Sequence, residues 1–179
     1  MMQETSAMPG VSLTEVLDAK DQRAQRQQDW RTRWQSPLLS LTLVTPGPVK
    51  DSIRYRNCMG VALQACDQLL WRNGWKVLQR EVFWLPTGPE ALWCLDQPAQ
   101  LIKNAVIELE DQHPLGRLWD IDVVTPQGTM LCRKASGFAP RRCVICDDEA
   151  HVCSRSRRHP LAQVVGQIEQ TIDDWLRRD

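Results

Sequence analysis

The sequence has no apolar run long enough to cross a membrane as a helix, which takes about 18 residues or more. It also lacks net charge: 22 lysines and arginines stand against 22 aspartates and glutamates in 179 residues. That excludes a protein that holds nucleic acid by bulk positive charge, and an acidic disordered tail. The first ten residues, Met1 to Gly10, lack the basic start and apolar stretch of a secretory signal. No internal repeat and no linker interrupts the chain. These absences predict one cytoplasmic domain with neither a membrane nor a nucleic acid as partner. Tyrosine (one) and phenylalanine (two) are scarce, but there are eight tryptophans, whose simplest use is as bulky core and pocket walls. The seven cysteines are odd in number and mostly scattered, which suits thiols or metal ligands better than a disulfide frame.

What is present reads as alternating helices and strands. Residues 1–10 look disordered, and residues 11–179 read as a single domain. Ser12-Leu13-Thr14-Glu15 is a capping box opening a helix that runs to about Trp34, where Ser36-Pro37 ends it. The middle of that helix is polar, which predicts a surface position held by Leu13, Leu17, Trp30 and Trp34. Leu38 to Thr45 alternates as a strand. Asp51 is placed to cap a second helix, which closes at Asn73-Gly74. Trp75 to Leu85 and Ala91 to Leu95 form a hairpin candidate around Pro86-Thr87-Gly88-Pro89. A third helix starts near Pro98 and breaks at His113-Pro114-Leu115-Gly116. Leu118 to Thr125 is a strand, and Thr129 to Arg133 returns from it. Residues 134–159 show little periodicity and are rich in cysteine and arginine. Pro160 opens a terminal helix over 160–178 with i, i+3, i+4, i+7 apolar spacing. The expected fold class is α+β, with a mixed sheet of about five strands packed against helices, of nucleotidyltransferase type.

The stretch Gly116-Arg117-Leu118-Trp119-Asp120-Ile121-Asp122-Val123 carries the most chemistry. Side chains alternate along a strand, so Asp120 and Asp122 face the same way, with Cα atoms about 7 Å apart. Two carboxylates fixed together call for a cation, and Mg2+ or Mn2+ bridging to substrate phosphates suits them. Gly116 would let phosphate approach the backbone. The alternative is an amphipathic edge strand with two exposed acids. Glu81, Glu108, Glu110 and Asp111 are the candidates for a third acid.

Cys143-x2-Cys146-x6-Cys153-x5-His159 has the donor types of a zinc site, three thiolates and one imidazole. Reduced surface thiols, or a redox pair at Cys143 and Cys146, are the alternatives. The same segment holds Arg133, Lys134, Arg141, Arg142, Arg155, Arg157 and Arg158 against Asp147, Asp148 and Glu149, and Lys50, Arg54 and Arg56 form a second basic group. Arginine forks suit phosphate oxygens. A zinc-stabilised protein-binding module without catalysis would use the cysteine segment and leave the aspartates as surface.

Three separated stretches together resemble one family. They are His113 to Val123, Arg142 to Cys146 with Cys153 to His159, and Pro46-Gly47-Pro48-Val49-Lys50. The family is that of apo-citrate lyase phosphoribosyl-dephospho-CoA transferase, and the resemblance spans about residues 11 to 178. It implies an enzyme that transfers 2′-(5″-phosphoribosyl)-3′-dephospho-CoA from its triphosphate precursor. The acceptor would be a serine of the acyl carrier protein, the γ subunit of citrate lyase, and pyrophosphate would leave. Malonate decarboxylase holo-carrier synthases are similar in using an Asp-x-Asp. By that analogy Asp120 and Asp122 are the metal ligands. Gly116, Arg117, Lys50, Arg142, Arg155, Arg157 and Arg158 are then candidates for holding phosphate, the last three for the outgoing pyrophosphate. Some of the tryptophans would wall the adenine and pantetheine.

Overall fold

A computed structural model describes residues 10–178. The disorder expected for residues 1–10 falls, Gly10 apart, outside the described residues. Helix α1 (Leu13–Trp34) opens on the expected capping box, with Ser12 accepting from the Glu15 amide and Glu15 accepting from the Ser12 amide. It is followed by β1 (Leu38–Leu43) and α2 (Ile53–Arg72). Ser52 rather than Asp51 caps α2, because Asp51 is taken by a bidentate pair with Arg56 at 2.7–2.8 Å. The hairpin of β2 (Val77–Leu85) and β3 (Gly88–Leu95) comes next, then α3 (Ala99–Gln112). A single 3-10 turn (Gly116–Leu118) leads into β4 (Trp119–Val124). Helices α4 (Ala150–Ser156) and α5 (Leu161–Leu176) complete the chain. Seven-residue α4 lies inside the segment that reads as aperiodic; it is too short to show a buried stripe.

The strands form one sheet in the order β2-β3-β1-β4, with every pairing antiparallel. The result is a single α+β domain with two layers of helix around a sheet. One sheet face carries Leu39, Leu41, Trp93, Trp119, Ile121 and Val123 and packs under α2, α3 and α5 as the main core. Arg54 ties α2 to α5 through a fork to Asp173 at 2.7 and 3.1 Å. The other face is crossed by α1. There Trp30 packs with Leu38, Leu92, Cys94 and Val124. Leu13 and Leu17 remain exposed, and the polar middle of α1 turns inward instead. Gln27 donates to Ser40 at 3.1 Å, and Arg23 and Arg26 pair with buried Glu90 at 3.3 and 3.1 Å. Polar residues suit this face because the sheet beneath them is itself partly polar.

Of the about five strands expected, four form the sheet, and the one read over Thr129 to Arg133 is reduced to a single bridge. After Gly128 the chain returns antiparallel only at Val124↔Met130, with the Leu131 amide donating to the Val123 carbonyl. Beyond that point the outer edge of β4 is already occupied. The Ile121 amide donates to Glu110 Oε1 at 3.1 Å, and Lys103 Nζ lies 3.4 Å from the Ile121 carbonyl. Arg141 donates to the Trp119 carbonyl. Glu110 and Lys103 are both buried, so these side chains do the work of a neighbouring strand.

Candidate active site

The alternation read from the sequence holds. Trp119, Ile121 and Val123 are buried in the main core. Asp120 and Asp122 lie on the opposite face, in register with Thr42 and Ser40 of β1. Asp120 lines a cleft of about 330 Å³ between α1, the end of β1 and the β2–β3 turn. Three cations line the same cleft: Lys20 and Arg23 from α1, and Lys50. Lys50 is half-buried and donates to the Thr45 carbonyl; burial and the charge of Lys20 hold its pKa below the usual lysine value. Asp122 sits one pleat further in. Burial, and then the neighbouring Asp120 carboxylate, push it up to about 6. A carboxyl raised in this way is one that a divalent cation would restore to its charged form.

Arg141 joins the pair, with Nη1 at 3.3 Å from Asp120 Oδ1 and Nη2 donating to the Arg117 carbonyl at 3.1 Å. The sequence names Arg141 only as one charge in a basic run; nothing in its spacing aims it at Asp120. Lys20 and Arg23 were missed for a related reason, since polar helix residues read as solvent-facing. Arg117 is tucked in, donating through Nε to the Arg142 carbonyl, and burial followed by the charge of Arg141 lowers its pKa to about 10. It lines a second cleft and a third one, the latter shared with Gly116 and Arg142.

The remaining phosphate candidates are not gathered at Asp120. Arg157 lines the second cleft. Arg158 pairs with Asp148, and Arg155 is exposed on α4. Gly116 is required for packing: a Cβ there would lie 2.0 Å from the Glu110 carbonyl oxygen, where the end of α3 passes the 3-10 turn. None of the third-acid candidates joins the pair. Glu110 is held by the Ile121 amide and Arg133, and Asp111 also binds Arg133 at 2.7 Å. Glu108 lines a different cleft, with Trp175. Glu81 sits on β2, separated from β4 by two intervening strands.

Cys143, Cys146, Cys153 and His159 converge as the spacing suggested. Their ligand atoms all lie within 4.8 Å of one another, the one such group of three or more metal-ligating residues among the described residues. Cys146 Sγ lies 3.5 Å from Cys153 Sγ and 3.3 Å from His159 Nε2. The Ile145 amide donates to Cys143 Sγ at 3.4 Å. Such a Cys3His group could hold a metal ion. Among the described residues no helix is long and apolar enough to cross a membrane.

A family model described as "CitX: Apo-citrate lyase phosphoribosyl-dephospho-CoA transferase" matches residues 11–175. The chain belongs to this family. Proteins named apo-citrate lyase phosphoribosyl-dephospho-CoA transferase from Escherichia coli O1:K1 / APEC and from Shigella boydii serotype 18 are each 38% identical to it over 174 residues. Each alignment covers 97% of this chain and 95% of the relative. Membership makes the chain a transferase, so a binding module without catalysis, the alternative reading of the cysteine segment, is set aside.

The raised Asp122 makes a prediction for the protein without added cation. The folded state then holds the proton more tightly than the unfolded chain. This contribution to stability is complete below the ordinary aspartate value of 3.8 and is lost as pH rises through about 6. Asp122→Asn removes the cost of the buried charge. In buffer free of added Mg2+ or Mn2+ at neutral pH it should be more stable than the parent by on the order of 2 kcal/mol, with no difference near pH 4. Thermal melts at the two pH values check this; equal melting at both would mean that Asp122 is fully solvated.

Proposed function

We propose that this chain transfers the 2′-(5″-phosphoribosyl)-3′-dephospho-CoA group from its triphosphate precursor to a serine of the acyl carrier protein, the γ subunit, of citrate lyase. The observation that carries the reading is the match of nearly the whole chain to the transferase family. The serine oxygen attacks the α-phosphorus, a phosphodiester forms, and pyrophosphate leaves with the electrons of the broken P–O bond. Asp120 and Asp122 hold Mg2+ or Mn2+, a role that fits their shared face and the raised Asp122. Bound there, the ion supplies charge neutralisation at the phosphoryl oxygens. Lys50 and Lys20 face the same space and offset the polyphosphate charge, while Arg23, beside them, is paired with Glu90. Arg141 orients Asp120. Arg117, Arg142, Arg155, Arg157 and Arg158 remain as a basic surface for the more distant phosphates or for an acidic carrier protein. A cytoplasmic setting belongs to this proposal, and free cysteines among the described residues are in keeping with it.

The test is mass spectrometry of apo carrier protein incubated with this chain, the triphosphate donor and Mg2+. The expected result is a mass gain equal to the prosthetic group, on a serine. An unmodified carrier with all components present would reject the reading.

The Cys3His group holds zinc in this reading, because three thiolates and an imidazole converging in an irregular segment are the donor set of a closed structural site. Metal binding then contributes directly to the folding of residues 134–159. Stripping the metal with a strong chelator, or Cys146→Ser, should lower stability by about 3 kcal/mol or more and open this segment to proteolysis. Elemental analysis with thermal melting checks the point; a zinc-free preparation that melts unchanged would remove the metal from the account.

A further inference from the structure

The second cleft, of about 480 Å³, has walls unlike those of the first. Val44 and Pro46 close one side, Leu161 and Val164 from α5 another, and Val144 a third. Three of the four converging ligand residues, Cys143, Cys153 and His159, also line it. Its polar groups are few, with Arg117 and Arg157 among them. Apolar walls with a few placed polar groups, in a volume between about 300 and 1,000 Å³, are the features of a small-molecule site. Val44 and Pro46 line this cleft and the Asp120 cleft alike, so the two spaces share one short ridge. No tryptophan lines it: Trp30, Trp93 and Trp119 are core residues, and the expectation of tryptophan walls is not met here.

We propose that this second cleft is the adenine subsite of the donor and that the Cys3His loop is one of its walls. The proposal rests on the transfer reaction proposed above. In the donor, the triphosphate-bearing ribose is joined to the 2′-oxygen of the adenosine ribose. The first flat, weakly polar group beyond the phosphates is therefore the base, two sugars away. With the triphosphate beside Asp120, Lys50 and Lys20, a base reaching over the Val44–Pro46 ridge enters the aliphatic cleft. The diphosphate on the 5′ side of the same adenosine then lies toward Arg117 and Arg157. The ligand residues stand in the wall, so loading the metal shapes the cleft and thereby affects donor recognition without contact between the metal and the reacting phosphorus.

The experiment is calorimetric titration of the full metal-loaded chain with 3′-dephospho-CoA, which carries the base and the 5′-diphosphate but no triphosphate. Binding to the parent protein is expected. Leu161 is half exposed, so Leu161→Glu leaves the fold intact while placing a charge on the wall, and Ala150→Trp fills the cleft. Each should weaken binding by about tenfold or more, with unchanged melting. Metal removal should weaken it similarly, and Asp120→Asn should leave it unchanged. Undetectable binding to the parent, or parent-like binding by both cleft variants, would overturn the subsite; parent-like binding by the metal-stripped protein would overturn the role of the metal loop. Carrier modification by the parent chain is scored separately, so a failure of the proposed reaction is told apart from a failure of the subsite.

Discussion

Asp120→Asn is expected to reduce carrier modification by about a thousandfold or more while the protein folds normally. The substitution is nearly isosteric and removes one formal charge from a side chain at the mouth of the cleft, about half exposed. It keeps an oxygen for Arg141 to bind, so the packing around β4 is retained. What is lost is half of the paired negative charge that would hold a divalent cation against a polyphosphate. Asp122→Asn should cost a similar factor in transfer but, unlike Asp120→Asn, should stabilise the cation-free protein at neutral pH. Steady-state transfer rates across a Mg2+ titration, with thermal melts of both variants, check the pair. Parent-like transfer by Asp120→Asn would remove the acidic pair from the mechanism.

The second large effect concerns stability. Gly116→Ala should cost about 3 kcal/mol or more, above the usual range for one added methyl group. The obstacle is backbone rather than a side chain that can turn away: the Glu110 carbonyl oxygen would sit 2.0 Å from the new Cβ, and Glu110 Cα and carbonyl carbon 2.7 Å from it. Relief would require the end of α3 to separate from the 3-10 turn. That in turn would pull Glu110 from the Ile121 amide and Arg133. Loss of stability and loss of transfer should therefore appear together, measured by denaturant unfolding alongside the activity assay. An alanine variant of parent stability that had lost only phosphate affinity would restore the role that the sequence suggested for this glycine.

Most of the frame was legible because it depends on local rules. The Ser12–Glu15 box, the period-two pattern through Asp120 and Asp122, and the apolar stripe of α5 each need only neighbouring residues. The convergence of Cys143, Cys146, Cys153 and His159 was also foreshadowed by ligand chemistry. The missing parts depend on contacts far apart in sequence. Arg141 reaches Asp120 across 21 residues, and Arg26 reaches Glu90 across 64. The fifth strand could not be excluded from its own residues. What displaces it are Lys103, Glu110 and Arg141, two of them from α3 and none from the hairpin itself.

That closure of the outer side of β4 has a consequence for fidelity. A strand displaced by a single residue would turn both aspartates into the hydrophobic interior and expel Trp119, Ile121 and Val123 into water. Here Ile121 is clamped at its amide and its carbonyl by two buried charges of opposite sign, anchored on one helix. The clamp fits only one alignment. The alignment of the acidic pair is thus indexed by α3, while the cysteine segment reaches it only through Arg141.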